Sequence, residues 1–104
     1  ETVEGVSNIE EIGRVNGVDM LFVGPMDLST NIGKFGQFDD PLFIKTIHEA
    51  KDKIFKSAKF SGIIPFGNYD WKDVFEMGFD LTTAGTELSI LRDSSRKIIK
   101  EFRN

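Results

Sequence analysis

The chain has 104 residues, 39% of them hydrophobic and ten of them Phe, which suits one folded unit with a packed core. Thirteen Lys and Arg against seventeen Asp and Glu leave a net charge of −4. No basic cluster is present beyond Arg96, Lys97 and Lys100, so nucleic acid is not an expected partner. The absence of cysteine excludes disulfides, thiolate nucleophiles and Cys-ligated metal centres and fits a reducing, cytoplasmic setting; the longest apolar run, Met20 to Val23, is too short to span a membrane.

The first periodic segment is Ile9-Glu10-Glu11-Ile12. With Asn8 ahead of it and acids in its first turn it predicts a short capped helix, ended by Asn16-Gly17. Met20-Leu21-Phe22-Val23 predicts a strand buried on both faces, closed by Gly24-Pro25. Residues 25–32 read as polar and irregular, with room for a helical turn, and Gly33 and Gly36 mark a loop. Asp40-Pro41 is a helix start, with a capping acid and then Pro at the first helical position. Phe43, Ile47, Ala50, Ile54 and Ala58 follow at spacings of four and three, one face of an amphipathic helix over 41–58. Gly62-Ile63-Ile64 predicts a second buried strand, stopped by Pro65, and 70–77 a short helix with Gly78 at its C-terminal cap. Leu81-Thr82-Thr83-Ala84 predicts a third strand, ended by Gly85. Residues 87–102 predict a last helix with Ile90, Leu91, Ile98, Ile99 and Phe102 as its apolar positions.

Strands alternating with helices imply right-handed βαβ units and a parallel sheet. Three strands fall short of the eight, over about 250 residues, that a (β/α)8 barrel needs. The α/β pattern therefore fits either a small open sheet or the last three βα units of such a TIM barrel. The chain opens on Glu1 rather than Met, so it is expected to be a piece of a longer protein.

Two acids stand out for chemistry. Asp27 lies just past the C-terminal end of the first strand, in Gly24-Pro25-Met26-Asp27-Leu28-Ser29. In parallel α/β folds the loops at that end of the strands build the active site. Gly24 allows close backbone approach, and the N–H groups of a following helical turn can meet a small anion. Asp27 is well placed there to hold a hard divalent cation. Glu1, taken alone, carries no signal.

These segments together resemble the HpcH/HpaI aldolase family, the class II pyruvate aldolases related to citrate lyase β. The likeness rests on Glu1-Thr2, Val6, Asn8, Ile9, Glu11, Ile12, Gly17-Val18-Asp19 and Leu21 to Ser29, and it continues through Gly33, Gly36, Pro41, Gly62-Ile63-Ile64 and Gly78 to Gly85. It covers nearly the whole chain, 1–104, as a partial barrel domain. The family segment runs from a metal-binding Glu to a metal-binding Asp, so the resemblance assigns those roles to Glu1 and Asp27, holding Mg²⁺ or else Mn²⁺ or Co²⁺. It implies cleavage of 4-hydroxy-2-oxo acids to pyruvate and an aldehyde through a metal-stabilised enolate. Pyruvate would chelate the metal and meet Gly24, Pro25, Met26 and Asp27, while Ile64 would lie near the aldehyde. The family's proton-transferring His and enolate-stabilising Arg belong to earlier strands, so no catalytic residue is expected within this chain. Hexamers, with a last helix exchanged between subunits, are general in the family, which implies that role for 87–102. Two features depart from the family pattern or its activity. Gly85-Thr86-Glu87 stands where Gly-Val-Asp or Gly-Ser-Asp is usual, and the absent strands leave open a non-catalytic half-barrel. Acyl-CoA lyases and oxaloacetate-decarboxylating relatives share the metal pair and are the alternative activities.

Other residues have simpler readings. His48 falls mid-helix rather than at a strand end and reads as a surface histidine. Ser94-Ser95 reads as solvated helix, Tyr69 and Trp71 as a packing cap, and Asp39-Asp40 as a capping pair. Phe43, Phe55, Phe60 and Phe66 read as core or inter-unit packing. No lysine sits at a strand end, which agrees with a route that forms no Schiff base.

Overall fold

Three short strands pair in parallel, and a parallel pair needs a crossover to return the chain to the same edge. The computed structural model describes residues 1–104 as α1 (Val3–Ser7), α2 (Ile9–Gly13), β1 (Met20–Val23), α3 (Pro25–Asn31), α4 (Pro41–Lys56), β2 (Phe60–Ile63), α5 (Trp71–Glu76), β3 (Leu81–Thr82) and α6 (Glu87–Arg103). The sheet order is β1-β2-β3, with Met20 opposite Phe60, Val23 opposite Ile63, and Ile63 opposite Thr82. Both crossovers, through α4 and through α5, are the βαβ units that the alternation predicts.

The principal crossover, α4, starts where the sequence places it. The Asp40 carboxylate accepts from the Leu42 N–H at 2.9 Å, and Pro41 occupies the first turn. Phe43, Ile47, Ala50 and Ile54 are buried against the sheet. The helix stops at Lys56, so Ala58 falls outside it and is exposed. Ser57 ends it: its hydroxyl donates to the Ile54 carbonyl at 2.7 Å and accepts from the Lys59 N–H, offering the backbone an alternative to another turn.

Other expectations change for physical reasons. The run after Gly24 is a full helix, α3, because Pro25 fixes its first turn while Ser29 and Thr30 donate back to the Met26 carbonyl at 2.7 and 3.0 Å. Ser29, polar by type, is wholly buried and also accepts from the Gly36 N–H, pinning the 33–37 loop to α3. α1 goes unread in the sequence; Thr2 caps it by accepting from the Gly5 N–H at 2.9 Å. β1 is buried on one face only: Leu21 and Val23 are inside, while Phe22 is 43% exposed and its ring lies over Gly62, where any Cβ would clash with it. β2 begins at Phe60 and ends at Ile63, leaving Ile64 beyond the strand and exposed. β3 is two residues long, because Ile63–Thr82 is the last ladder pair and Thr83-Ala84 have no partner to extend it. Phe43 and Phe66 are core, as expected, but Phe60 is exposed and Phe55 half-exposed, packed edge-on against Phe79.

The Asp80 carboxylate accepts from the Ser61 N–H and hydroxyl at 2.8 and 3.0 Å and so clamps the approach to β3 onto β2. Helix α6 begins at a reciprocal cap between Thr86 and Ser89 and buries no residue; Ile90, Leu91, Ile98, Ile99 and Phe102 are all exposed. It extends away from the sheet, and the radius of gyration, 15.8 Å, exceeds the roughly 13 Å of a compact domain of this size. No helix is long and apolar enough to cross a membrane.

The core contribution can be read directly. Phe43→Ala is expected to lower unfolding free energy by about 3–5 kcal/mol, whereas Ile98→Ala on α6 should change it by less than about 0.5 kcal/mol. Urea unfolding followed by helical circular dichroism checks both.

Candidate active site at the strand C-termini

The C-terminal ends of β1 and β2 open into one cleft of about 440 Å³, a size that suits a small ligand. Gly24, Pro25, Met26 and Asp27 form one side. Ile64, Pro65, Phe66 and Gly67 form the other, with Phe38, Tyr69 and Asp70 at the outer end.

Gly24 is the hinge of the inner end. It leaves β1 at φ −102° and caps α3, whose first intrahelical bond runs from the Leu28 N–H to the Gly24 carbonyl at 3.0 Å. The N–H groups of Met26 and Asp27 in the first turn therefore lack helical acceptors. A Cβ at position 24 would lie 3.0 Å from Glu1 Cγ, 3.4 Å from Glu1 Oε1 and 3.6 Å from Asp27 Oδ2. The missing side chain thus leaves open a space that both carboxylates border. Glu1 is held there from a distance in sequence: the Val3 N–H donates to Asn31 Oδ1 at 2.9 Å, fastening the start of α1 to the end of α3. The Lys53 ammonium reaches the Val6 carbonyl at 3.2 Å and ties α1 to α4.

Two carboxylates over a side-chain-free turn form a hard-oxygen donor set. No third Asp, Glu, His or Cys joins them. That set fits Mg²⁺, which keeps several waters and takes one or two protein carboxylates, better than Zn²⁺, which wants nitrogen or sulfur and a closed shell.

The outer end is aromatic. Rings of Phe38, Phe43 and Phe66 meet edge-on at 5.2–5.9 Å, and Tyr69 lies tilted on Phe66 at 5.2 Å. Tyr69 is the packing residue that the sequence suggests, yet it also faces the cleft. Asp70 caps α5, accepting from the N–H groups of Lys72 and Asp73 at 2.8 and 3.0 Å, while the Asp70 N–H donates to the Asp73 carboxylate at 2.8 Å. The Asp73 N–H, working against desolvation and joined by the Lys72 N–H, holds the Asp70 carboxyl below the usual aspartate range.

The structure therefore brings Glu1, Gly24, Pro25, Met26 and Asp27 to one place, with Ile64 across the cleft. Phe38, Phe66, Tyr69 and Asp70 line the same space and escape sequence reasoning as site residues: Phe66 and Tyr69 read as packing, Asp70 stands only as the start of a short helix, and Phe38 carries no signal. His48 is exposed and lies behind Phe66 and Tyr69, outside the cleft. Trp71 packs edge-on against Phe75, with the Lys72 ammonium 5.3 Å from its ring, and also stands outside. Gly85, Thr86 and Glu87 do not line the cleft; the departure at Thr86 serves the cap of α6.

Three parallel βα units with two carboxylates at the C-terminal rim of the strands match a segment of a (β/α)8 barrel. The chain belongs to the HpcH/HpaI aldolase/citrate lyase family, whose sequence profile matches residues 1–93. A hydroxypyruvate/pyruvate aldolase of Chromohalobacter salexigens is 32% identical over 103 residues, 99% of this chain and 41% of the relative. A 5-keto-4-deoxy-D-glucarate aldolase of Escherichia coli is 31% identical, over 99% of this chain and 40% of its own length. The crystal structure of an HpcH/HpaI aldolase/citrate lyase family protein from Burkholderia cenocepacia superposes with a TM-score of 0.88 at 28% identity, covering 100% of this chain and 40% of that one. The chain spans about two fifths of the length of these relatives, the first two of which are aldolases by name.

The lowered carboxyl of Asp70 has a pH consequence. Its contribution to stability is present above the unfolded-state pKa and is lost as pH falls through the lower folded-state value. In an acid titration Asp70→Asn, which still caps, should flatten the fall in unfolding free energy below about pH 4 and leave neutral stability little changed.

Proposed function

We propose that residues 1–104 are a partial barrel domain carrying the pyruvate end of a divalent-metal-dependent aldolase site. The reaction is cleavage of a 4-hydroxy-2-oxo acid to pyruvate and an aldehyde. The observation that carries this reading is that the Glu1 and Asp27 carboxylates both border the space left by the missing side chain of Gly24. Aldolase names among the relatives support it, including one whose name contains pyruvate.

In this proposal Glu1 and Asp27 hold the ion, Mg²⁺ or else Mn²⁺ or Co²⁺. When bound, the ion supplies Lewis-acid charge for the electron density left on the 2-oxo acid as the carbon–carbon bond breaks. The chain's own groups do the rest of the binding. The Met26 and Asp27 N–H groups offer donors to the substrate carboxylate. Pro25 and the buried Leu28 fix the first turn of α3, so these donors and Asp27 move as one unit. Ile64 closes the opposite wall beside the carbon chain and helps to exclude water. The base and the positive group that complete the reaction are assigned to strands that precede β1 in a full barrel. A homo-oligomer belongs to the same reading, supported by the apolar face that α6 leaves exposed, as does a cytoplasmic setting suited to small diffusible substrates.

Isothermal titration of Mg²⁺ in the presence of pyruvate tests the reading. Binding is expected in the native chain and should be abolished in Asp27→Ala. Gly24→Ala keeps an allowed backbone but presses a methyl onto Glu1, and should weaken Mg²⁺ binding about tenfold. Absence of metal-dependent pyruvate binding in a folded sample would favour a non-catalytic assembly module instead.

A further inference from the structure

Asn16-Gly17 reads in the sequence as the end of a helix, yet α2 stops at Gly13 and the pair caps nothing. It forms instead the tip of an exposed turn between α2 and β1, at the end of the strands opposite the cleft. The Val18 N–H donates to the Val15 carbonyl across this turn at 3.3 Å. Gly17 takes φ +90°, with nothing within 4 Å of where a Cβ would stand. Its N–H makes no hydrogen bond within the chain.

An asparagine side chain is open to attack by the backbone nitrogen of the residue after it, which closes a five-membered ring. Three things hold that attack back: a hydrogen bond that occupies the N–H, a following side chain that crowds the ring, and a rigid element that fixes the backbone between the two groups. Asn8 precedes Ile9, which is branched at Cβ and buried. Asn31 lies in α3, the Ile32 N–H donates to the Leu28 carbonyl at 3.1 Å, and the Val3 N–H engages the Asn31 side-chain oxygen. Asn68 precedes Tyr69, whose N–H donates to the Phe66 carbonyl at 2.9 Å. Asn16 meets none of the three. The one bond across its turn is long and exposed, so the turn opens at little cost.

We propose that Asn16 is a site of spontaneous deamidation and that its isoaspartate product loosens the entry to β1. The Gly17 nitrogen gives its proton to a solvent base and attacks the side-chain carbonyl carbon of Asn16. That carbon–nitrogen bond forms, the bond to Nδ2 breaks, and Nδ2 leaves as ammonia with a proton from water. Water then opens the ring at either carbonyl. Opening at the side-chain carbonyl gives aspartate; opening at the main-chain carbonyl gives isoaspartate, with one carbon more in the backbone. No electrons change hands, and water is the co-reactant. Val18, two residues on, packs against the core, and the Asp19 carbonyl accepts from the Phe60 N–H at 3.0 Å where the β1–β2 ladder begins. A longer backbone ahead of them cannot keep the geometry of the Val15–Val18 turn. The proposal does not depend on what the cleft binds.

The full chain is incubated at mildly acid and mildly alkaline pH, and its peptides are mapped by mass spectrometry. Isoaspartate is counted by enzymatic methylation, and a peptide of residues 14–19 reports the reactivity of the free segment. Asn16 is expected to convert ahead of Asn8, Asn31 and Asn68, faster at alkaline pH, with isoaspartate among the products. Asn16→Gln should lose that product. The aged native chain should unfold at lower urea concentration than Asn16→Gln aged in parallel. Asn16→Asp, which carries the charge without the added carbon, should unfold close to the fresh native chain. Earlier conversion at another asparagine, an intact Asn16 where the peptide converts, or aspartate formed without isoaspartate overturns the proposal. So does an aged, converted chain as stable as aged Asn16→Gln, or an Asn16→Asp chain as unstable as the aged one.

Discussion

The burial of one face of α4 against the parallel strands is the constraint on which the rest depends. Parallel strands cannot be joined by a tight turn, and the crossover must bring enough apolar surface to hold both in register. Phe43, Ile47, Ala50 and Ile54 supply it, beneath Leu21, Val23 and Ile63. Once β1 and β2 lie side by side, the segments that follow them, Gly24–Asp27 and Ile64–Gly67, must emerge at the same end and face each other. The cleft is thus a consequence of strand direction, and its lining a consequence of which residues stand immediately past each strand.

Within that frame, small polar devices set the inner end. A backbone bond from Val3 to the Asn31 side chain, spanning 28 positions, decides where Glu1 stands. Ser29, buried and doubly bonded, turns an otherwise polar stretch into the short helix that aims Asp27. The lack of a side chain at Gly24 then leaves space for the two acids to approach. None of these groups is chemically active. Each removes a degree of freedom from one of the two carboxylates to which the proposed function assigns the ion.

Local signals made much of this fold legible. The Asp40-Pro41 start, the spacing from Phe43 to Ile54, and Gly78, at positive φ just past α5, stand in the sequence as they act in the structure, whereas the helix expected to end at Asn16-Gly17 already stops at Gly13. What stayed hidden depends on contacts between distant segments. The run Met20–Val23 is apolar throughout, so composition could not show that Phe22 lies over Gly62 with one side open. The end of β3 is set by where β2 stops, not by Thr83 or Ala84. Glu1 gains meaning only from the fold or from family likeness. Phe38, Phe66, Tyr69 and Asp70 look like core, turn and cap, which they are; their shared cleft appears only when the loop after α3 meets the loop after β2.

The central claim is that Glu1 and Asp27 act together on one divalent ion. Substoichiometric Mn²⁺ added to the isotopically labelled chain reports its location through paramagnetic broadening of nearby amide signals. Broadening first at Thr2, Gly24, Met26 and Asp27, removed by Asp27→Ala, is the expected result. Broadening centred on the Asp39, Asp70 and Asp73 acids, or spread evenly over the acidic surface, would contradict it.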